Sequence, residues 1–370
     1  MRKRVINTLL AALMVLALCL TGCTSGGDTA EKPSAGDQSG TQSSDNSNKQ
    51  SDTGSQTGTQ NEAGNQDANK ADNDQNNTET KTDSNSDNNT DSSADNTSVD
   101  DDGSDDSLVT KEGITGSYKK KDLKTTYNEN KATAIVLNGD SATITGTGAE
   151  VDGLTIRINT KGNYLISGTL NDGQIVVNVG DDDDVRLILN GVDIKCSNSS
   201  CIYVINADKC IITTTAGSVN NLTDGNKYTY AKPDKEEPNA AIFTDCDLSI
   251  NGEGTLNVTG NFGHAIRAKA DLKITSGTIK VSAADKGFKA KKTFSILDGN
   301  VTINAKKDGI DAGSVINIDG GSLTVTAGDD AVQSDEQIIV NDGTVDLSKS
   351  KKGMKAPVIT TNGGNILLAE

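Results

Sequence analysis

Five residues spaced 22 apart, His264, Lys286, Asp308, Asp330 and Lys352, carry side chains able to titrate or to coordinate. The positions just before them read Asp285, Lys307, Asp329 and Lys351, and those three further on read Arg267, Lys289, Asp311, Gln333 and Lys355. Much of this set alternates in sign from one repeat to the next, as exposed ion pairs do, each worth only about 0–1 kcal/mol. Asp308 and Asp330 break the alternation, with Asp311 and Asp329 close by. If residues 22 apart are stacked, these four carboxylates share one edge, and their repulsion invites a cation or a raised pKa. Calcium suits such a site, since it takes about 6–8 oxygen ligands and tolerates irregular geometry. Lys307 competes for the same carboxylates. His264, the only histidine, has no evident nucleophile partner.

Stacking requires elements that repeat at the same step, and the sequence supplies them. The blocks His-Ala-Ile-Arg-Ala (264–268), Lys-Gly-Phe-Lys-Ala (286–290), Asp-Gly-Ile-Asp-Ala (308–312), Asp-Ala-Val-Gln-Ser (330–334) and Lys-Gly-Met-Lys-Ala (352–356) share one pattern, with Ala-Ala-Ile-Phe-Thr (240–244) before them. Two further alternating runs follow each of the first four, such as 272–274 and 279–281, with a glycine between them at 277, 299, 321 and 343. The runs are short, β-branched and of period two, so they read as strands. Three strands per copy at a fixed period predict an all-β fold, a right-handed parallel β-helix with three faces. Equivalent strands then lie about 4.8 Å apart. Ile266, Phe288, Ile310, Val332 and Met354 form one inward column.

Upstream, runs at 134–137, 154–158, 164–166, 175–179, 185–189 and 201–204 read as less regular early coils, with the Asp181–Asp184 run as a solvated turn. Residues 216–239 leave the period. Solenoid insertions tend to gather on the binding face, which makes Tyr228 and Tyr230 candidates for stacking on sugar rings. A plain loop with incidental tyrosines is the other reading. Cys201 falls in a column of small residues with Ala241, Ala265 and Gly287, and Cys196, Cys210 and Cys246 show no zinc-type spacing.

The first residues are an address. Arg2, Lys3 and Arg4 precede an apolar run over 9–20, too short to span a bilayer comfortably. Leu20-Thr21-Gly22-Cys23 matches a bacterial lipobox, so 1–22 is read as a signal peptide and Cys23 as the lipidated residue. Acyl chains contribute about 0.8 kcal/mol per buried methylene, enough for a firm anchor when several are attached. Residues 24–110 are polar and almost free of large apolar side chains, and cannot offset the entropy of ordering. Their 19 acidic and 4 basic residues account for most of the net charge of −17, so the acidity belongs to a tether and not to the folded part. The expected arrangement is signal peptide 1–22, lipidated Cys23 with its tether over 23–110, and β-helix over 111–370. It would sit on the extracytoplasmic face of a bacterial cell membrane, held there by its lipid alone. No nucleic-acid partner is expected.

The runs Leu-Asn-Asp-Gly-Gln-Ile-Val-Val-Asn-Val-Gly-Asp-Asp (170–182), Val-Arg-Leu-Ile-Leu-Asn-Gly-Val-Asp-Ile (185–194) and Asn-Ala-Ala-Ile-Phe (239–243), with the Asp-Gly-Ile coil, resemble the bacterial carbohydrate-binding parallel β-helix family. That family is similar in fold to pectate lyases. The resemblance runs from about residue 133 onward and implies a cell-surface protein that binds acidic plant polysaccharide, with calcium on the helix. Departures occur where the family's Asp gives way to His264, Lys286 and Lys352, which leaves a partial aspartate ladder and adds cations. The expectation is therefore a non-catalytic binder of an acidic, pectin-like polymer. Arg267, Lys286, Lys289, Lys352 and Lys355 would meet its carboxylates, and Asp308, Asp311, Asp329 and Asp330 would hold calcium. One alternative is a calcium-dependent polysaccharide lyase with Lys286, Lys289 or Lys307 as base. Another is a structural or adhesive surface protein without a glycan ligand.

Overall fold

The computed structural model describes residues 105–230 and 237–368. The expected signal peptide, Cys23 and nearly all of the tether lie outside the described residues. Among the described residues no helix is long and apolar enough to cross a membrane.

The 22-residue rhythm becomes a parallel β-solenoid of about nine coils of about 23 residues. Three ladders run along it. On the first face, His264–Ala268, Phe288–Ala290, Ile310–Ala312, Asp330–Ser334 and Lys352–Lys355 pair in parallel. The second face stacks Leu272–Ile274, Phe294–Ile296, Val315–Ile318, Gln337–Val340 and Val358–Thr361. The third stacks Thr278–Ala283, Asn300–Ala305, Ser322–Ala327, Thr344–Asp346 and Asn365–Leu367. Rung partners are 22 residues apart through most of this region, so Arg267, Lys289, Asp311, Gln333 and Lys355 form one column.

Alternation sends every second side chain inward. Ile266, Phe288, Ile310 and Val332 are fully buried and stacked, while Met354 in the last coil is half-buried. Each such apolar side chain contributes roughly 1.5–3 kcal/mol when buried. The corner between the second and third faces turns on a glycine column. At Gly321 φ is 76°, and a Cβ there would come within 2.6 Å of the Gly299 carbonyl oxygen. Both conformation and space therefore demand glycine. Cys196, Cys201, Cys210 and Cys246 are buried free thiols.

Two features depart from the sequence reading. The start of the helix is a cap as well as irregular coils. Thr133–Gly139 pairs in parallel with Gly162–Leu170 but antiparallel with Ala142–Thr145, and Ala149–Asp152 lies antiparallel to Thr155–Ile158. These hairpins cover strand edges that a bare first coil would leave open. The second feature is a strap over residues 105–124, part of which was assigned to the tether. It bonds to the outward side of the second face. Thr115 Oγ1 donates to Asn317 Oδ1 at 2.9 Å and Tyr118 Oη to Asp319 Oδ2 at 2.8 Å, while Asp122 binds Lys209 and Ser249. Ser249, Lys273, Ser295 and Asn317 point outward yet are buried. The chain thus occupies its own second face. Asp184, the last of the aspartate run, accepts a 2.6 Å bond from Lys121 of the strap.

Candidate functional site

With the second face covered, the first face and its edge toward the third carry the charged columns. Each strand of the first face begins at this edge, which places His264, Lys286, Asp308, Asp330 and Lys352 in line. The carboxylates divide into two groups. Ligand oxygens of Asp308, Asp329 and Asp330 lie within 4.8 Å of one another. The Asp330 backbone N–H donates to Asp308 Oδ1 at 3.1 Å, while Asp330 Oδ1 is buried without a hydrogen-bond donor, with Lys352 Nζ 3.6 Å away. Asp311 stands apart from this trio. It is buried and ion-paired with Lys286 and, at 2.7 Å, with Lys289.

The cations are set diagonally as well as vertically. Lys286 Nζ also lies 2.9 Å from Asp308, Lys352 pairs with Asp329 at 2.6 Å, and Lys355 pairs with Asp330 at 3.2 Å. The alternating-charge pattern puts Lys351 beneath Asp329, but the pair that forms is with Lys352. These diagonals step one rung and then one or three residues along it, and Lys307 meets Asp285 at 3.1 Å as the columns imply. Lys352 beside Asp329 holds that carboxyl below its usual range. Burial pulls the Lys289 ammonium down, helped by the Lys286 and Arg267 charges and opposed by the carboxylates of Asp335 and Asp308. Burial also drives His264 down to about 4, although Asp285 lies 3.8 Å from Nδ1, so the imidazole is neutral at pH 7. Arg267 is directed to the returning excursion, with a 2.8 Å bond to Asn239 and a 3.2 Å pair with Glu237, and its guanidinium lies 5.3 Å from the Phe243 ring centre.

A face of this kind offers hard oxygen ligands beside cations, along a line of rungs about 4.8 Å apart. The family model of a carbohydrate-binding domain-containing protein matches residues 152–366, more than half of the chain. The chain belongs to this family. A curated relative from Acetivibrio thermocellus, also described as a carbohydrate-binding domain-containing protein, is 41% identical over 138 residues. The match covers 36% of this chain and 48% of the relative, so the chain spans about half the length of the curated relative it matches. The solved structure of the polysaccharide lyase-like protein from C. thermocellum, a gadolinium derivative, superimposes with a TM-score of 0.57 at 34% identity. That likeness covers 64% of this chain and 96% of the other.

Within this carbohydrate-binding domain, Tyr228 and Tyr230 lie away from the carboxylates, beside Phe262. The Tyr228 ring stacks on Phe262 at 4.3 Å, and Tyr230 approaches both rings at 6.4 Å. Phe262 was not singled out from sequence. The available signal was the length of its turn: residues 261–263 link the faces where 284–285 suffice in the next coil.

Proposed function

We propose that the first face and its edge bind an acidic polysaccharide without cleaving it, with calcium held by Asp308, Asp329 and Asp330. The observation that carries this is the carboxylate trio, with its buried, donor-free Asp330 oxygen, set among Lys286, Lys289, Lys352 and Lys355. Three like charges at this spacing are stabilised by a divalent cation, and calcium would leave coordination positions for sugar oxygens. Asp311 belongs to the lysine group in this reading. A uronate carboxylate would compete with it for Lys286 and Lys289. Pectin-like polygalacturonate, as a plant or cell-wall glycan, has the matching chemistry. Lipidation at Cys23 and the tether between it and the strap would present the domain from the extracytoplasmic face of the membrane.

A second reading rests on Lys289, whose lowered pKa suits a general base, and on the lyase-like name of the structural relative. A lysine amine would take the proton α to the uronate carboxylate. The C–O bond at the neighbouring carbon would then break, leaving a carbon–carbon double bond in one product while the departing oxygen takes a proton from water. Incubating the full chain with polygalacturonate separates the readings. The binding role predicts co-sedimentation with polygalacturonate over neutral glucan, weakened by salt and by Lys286→Glu with Lys289→Glu, and no unsaturated-product absorbance. Absorbance that grows with time would establish the lyase, and equal salt-insensitive binding of both polymers would refute the acidic preference.

A further inference from the structure

The early end of the same edge is built for a different group. Phe262 sits in the 261–263 turn, one residue longer than its counterpart at 284–285, and remains 37% exposed while stacked on Tyr228. Asp224, itself buried, fixes the cluster. Tyr228 Oη donates to its Oδ2 at 2.7 Å, the Asn261 backbone N–H donates to its Oδ1, and Asn261 Nδ2 donates to its carbonyl oxygen at 2.7 Å. The rings are therefore held in place before any ligand arrives, which lowers the ordering cost of binding. His264, next along the edge, is buried and uncharged at neutral pH. This end presents ring surface where the later rungs present charge. Two rungs on, about 10 Å away, comes Asp308, and a third rung adds Asp330 at about 14 Å.

Resting on the polysaccharide reading above, we propose that Phe262, with Tyr228 and Tyr230, forms a second subsite for an uncharged pyranose ring. That ring would belong to the same polymer whose carboxylates meet the charged rungs. The C–H face of a pyranose is apolar and flat enough to lie on an aromatic ring, whereas a charged carboxylate would lose hydration against the ring face. The ligand class is then a polyuronate interrupted by uncharged residues, either neutral sugars or methyl-esterified uronates.

The test uses two probes, fully de-esterified polygalacturonate and the same polymer with part of its carboxylates methyl-esterified, titrated calorimetrically into the full chain. Phe262→Ala should weaken the partly esterified polymer by about tenfold and leave the de-esterified one within about twofold. Phe262→Leu keeps the apolar bulk but loses the aromatic face. It should show the same selective loss at an unchanged melting temperature, which separates recognition from folding. Equal losses on both polymers overturn the preference for an uncharged ring, and no loss on either overturns the subsite while leaving the acidic-polysaccharide reading intact. Failure of the unaltered chain to bind either polymer overturns that reading and the subsite with it.

Discussion

Asp122 should be the residue on which the strap depends, and replacing it with alanine tests this. Its side chain is fully buried. Oδ1 lies 2.5 Å from Lys209 Nζ and accepts from Ser249 Oγ at 2.8 Å, and Oδ2 is 3.6 Å from Lys273 Nζ. Asp122→Ala removes the carboxylate that balances two buried lysines. Breaking a buried pair from one side costs about 3–5 kcal/mol. At roughly 2–4 °C per kcal/mol for a domain of this size, the melting temperature should fall by about 6–20 °C. Ser249→Ala, which removes one hydrogen bond to a charged group, should cost about 1.5–3 kcal/mol. Scanning calorimetry of the full chain at pH 7 reads both. The pH dependence has a definite sign. Burial pushes the Asp122 carboxyl up, but Lys209 and Lys273 outweigh it, and its folded pKa lies below the ordinary value. The stabilisation is therefore complete above about pH 4 and is lost as pH falls through the folded value, so the gap between parent and variant should close in acid. A fall below about 2 °C at pH 7 would refute the reasoning, because it would mean that the strap is not held by this charge.

Other expectations follow from the same geometry. Ile310→Asp puts an unpaired charge between Phe288 and Val332 in the inward stack and should cost several kcal/mol in thermal or urea unfolding. A parent-like melt would contradict the stacking. Asp224 has its carboxyl raised to about 6 by burial, against the hydrogen bonds from Tyr228 and Asn261. Its contribution is present at low pH and is lost as pH rises from about 4 toward 6, by roughly 3 kcal/mol at most. Asp224→Asn should flatten that part of the melting profile, and an unchanged slope between parent and variant would count against the buried carboxyl.

The repeat was legible because each coil solves the same packing problem, and identical solutions recur at identical spacing. Reading residues 22 apart as neighbours placed Ile310 between Phe288 and Val332, and Asp308 beside Asp330, as the structure has them. The strap was not legible. Residues 105–124 have no period, and their partners lie far along the chain, with Tyr118 reaching Asp319. A trace of it existed in the outward column Ser249, Lys273, Ser295, Asn317, which is poor in charge for a strand facing water. Asp311 shares an edge with the other aspartates in the sequence reading, but it pairs with Lys289 of its own column and, by diagonal reach, with Lys286. Column reasoning treats side chains as perpendicular to the sheet, and long lysines are not so confined.

The central claim is that the Asp308, Asp329 and Asp330 trio binds calcium and, through it and the adjoining lysines, an acidic polymer. Its most direct test is the binding isotherm of oligogalacturonate to the full chain, in millimolar calcium and in chelator, for the parent and for Asp308→Asn with Asp330→Asn. The account predicts that calcium tightens binding to the parent by about tenfold or more and leaves the double variant unchanged. Identical isotherms for the parent with calcium and with chelator would contradict it.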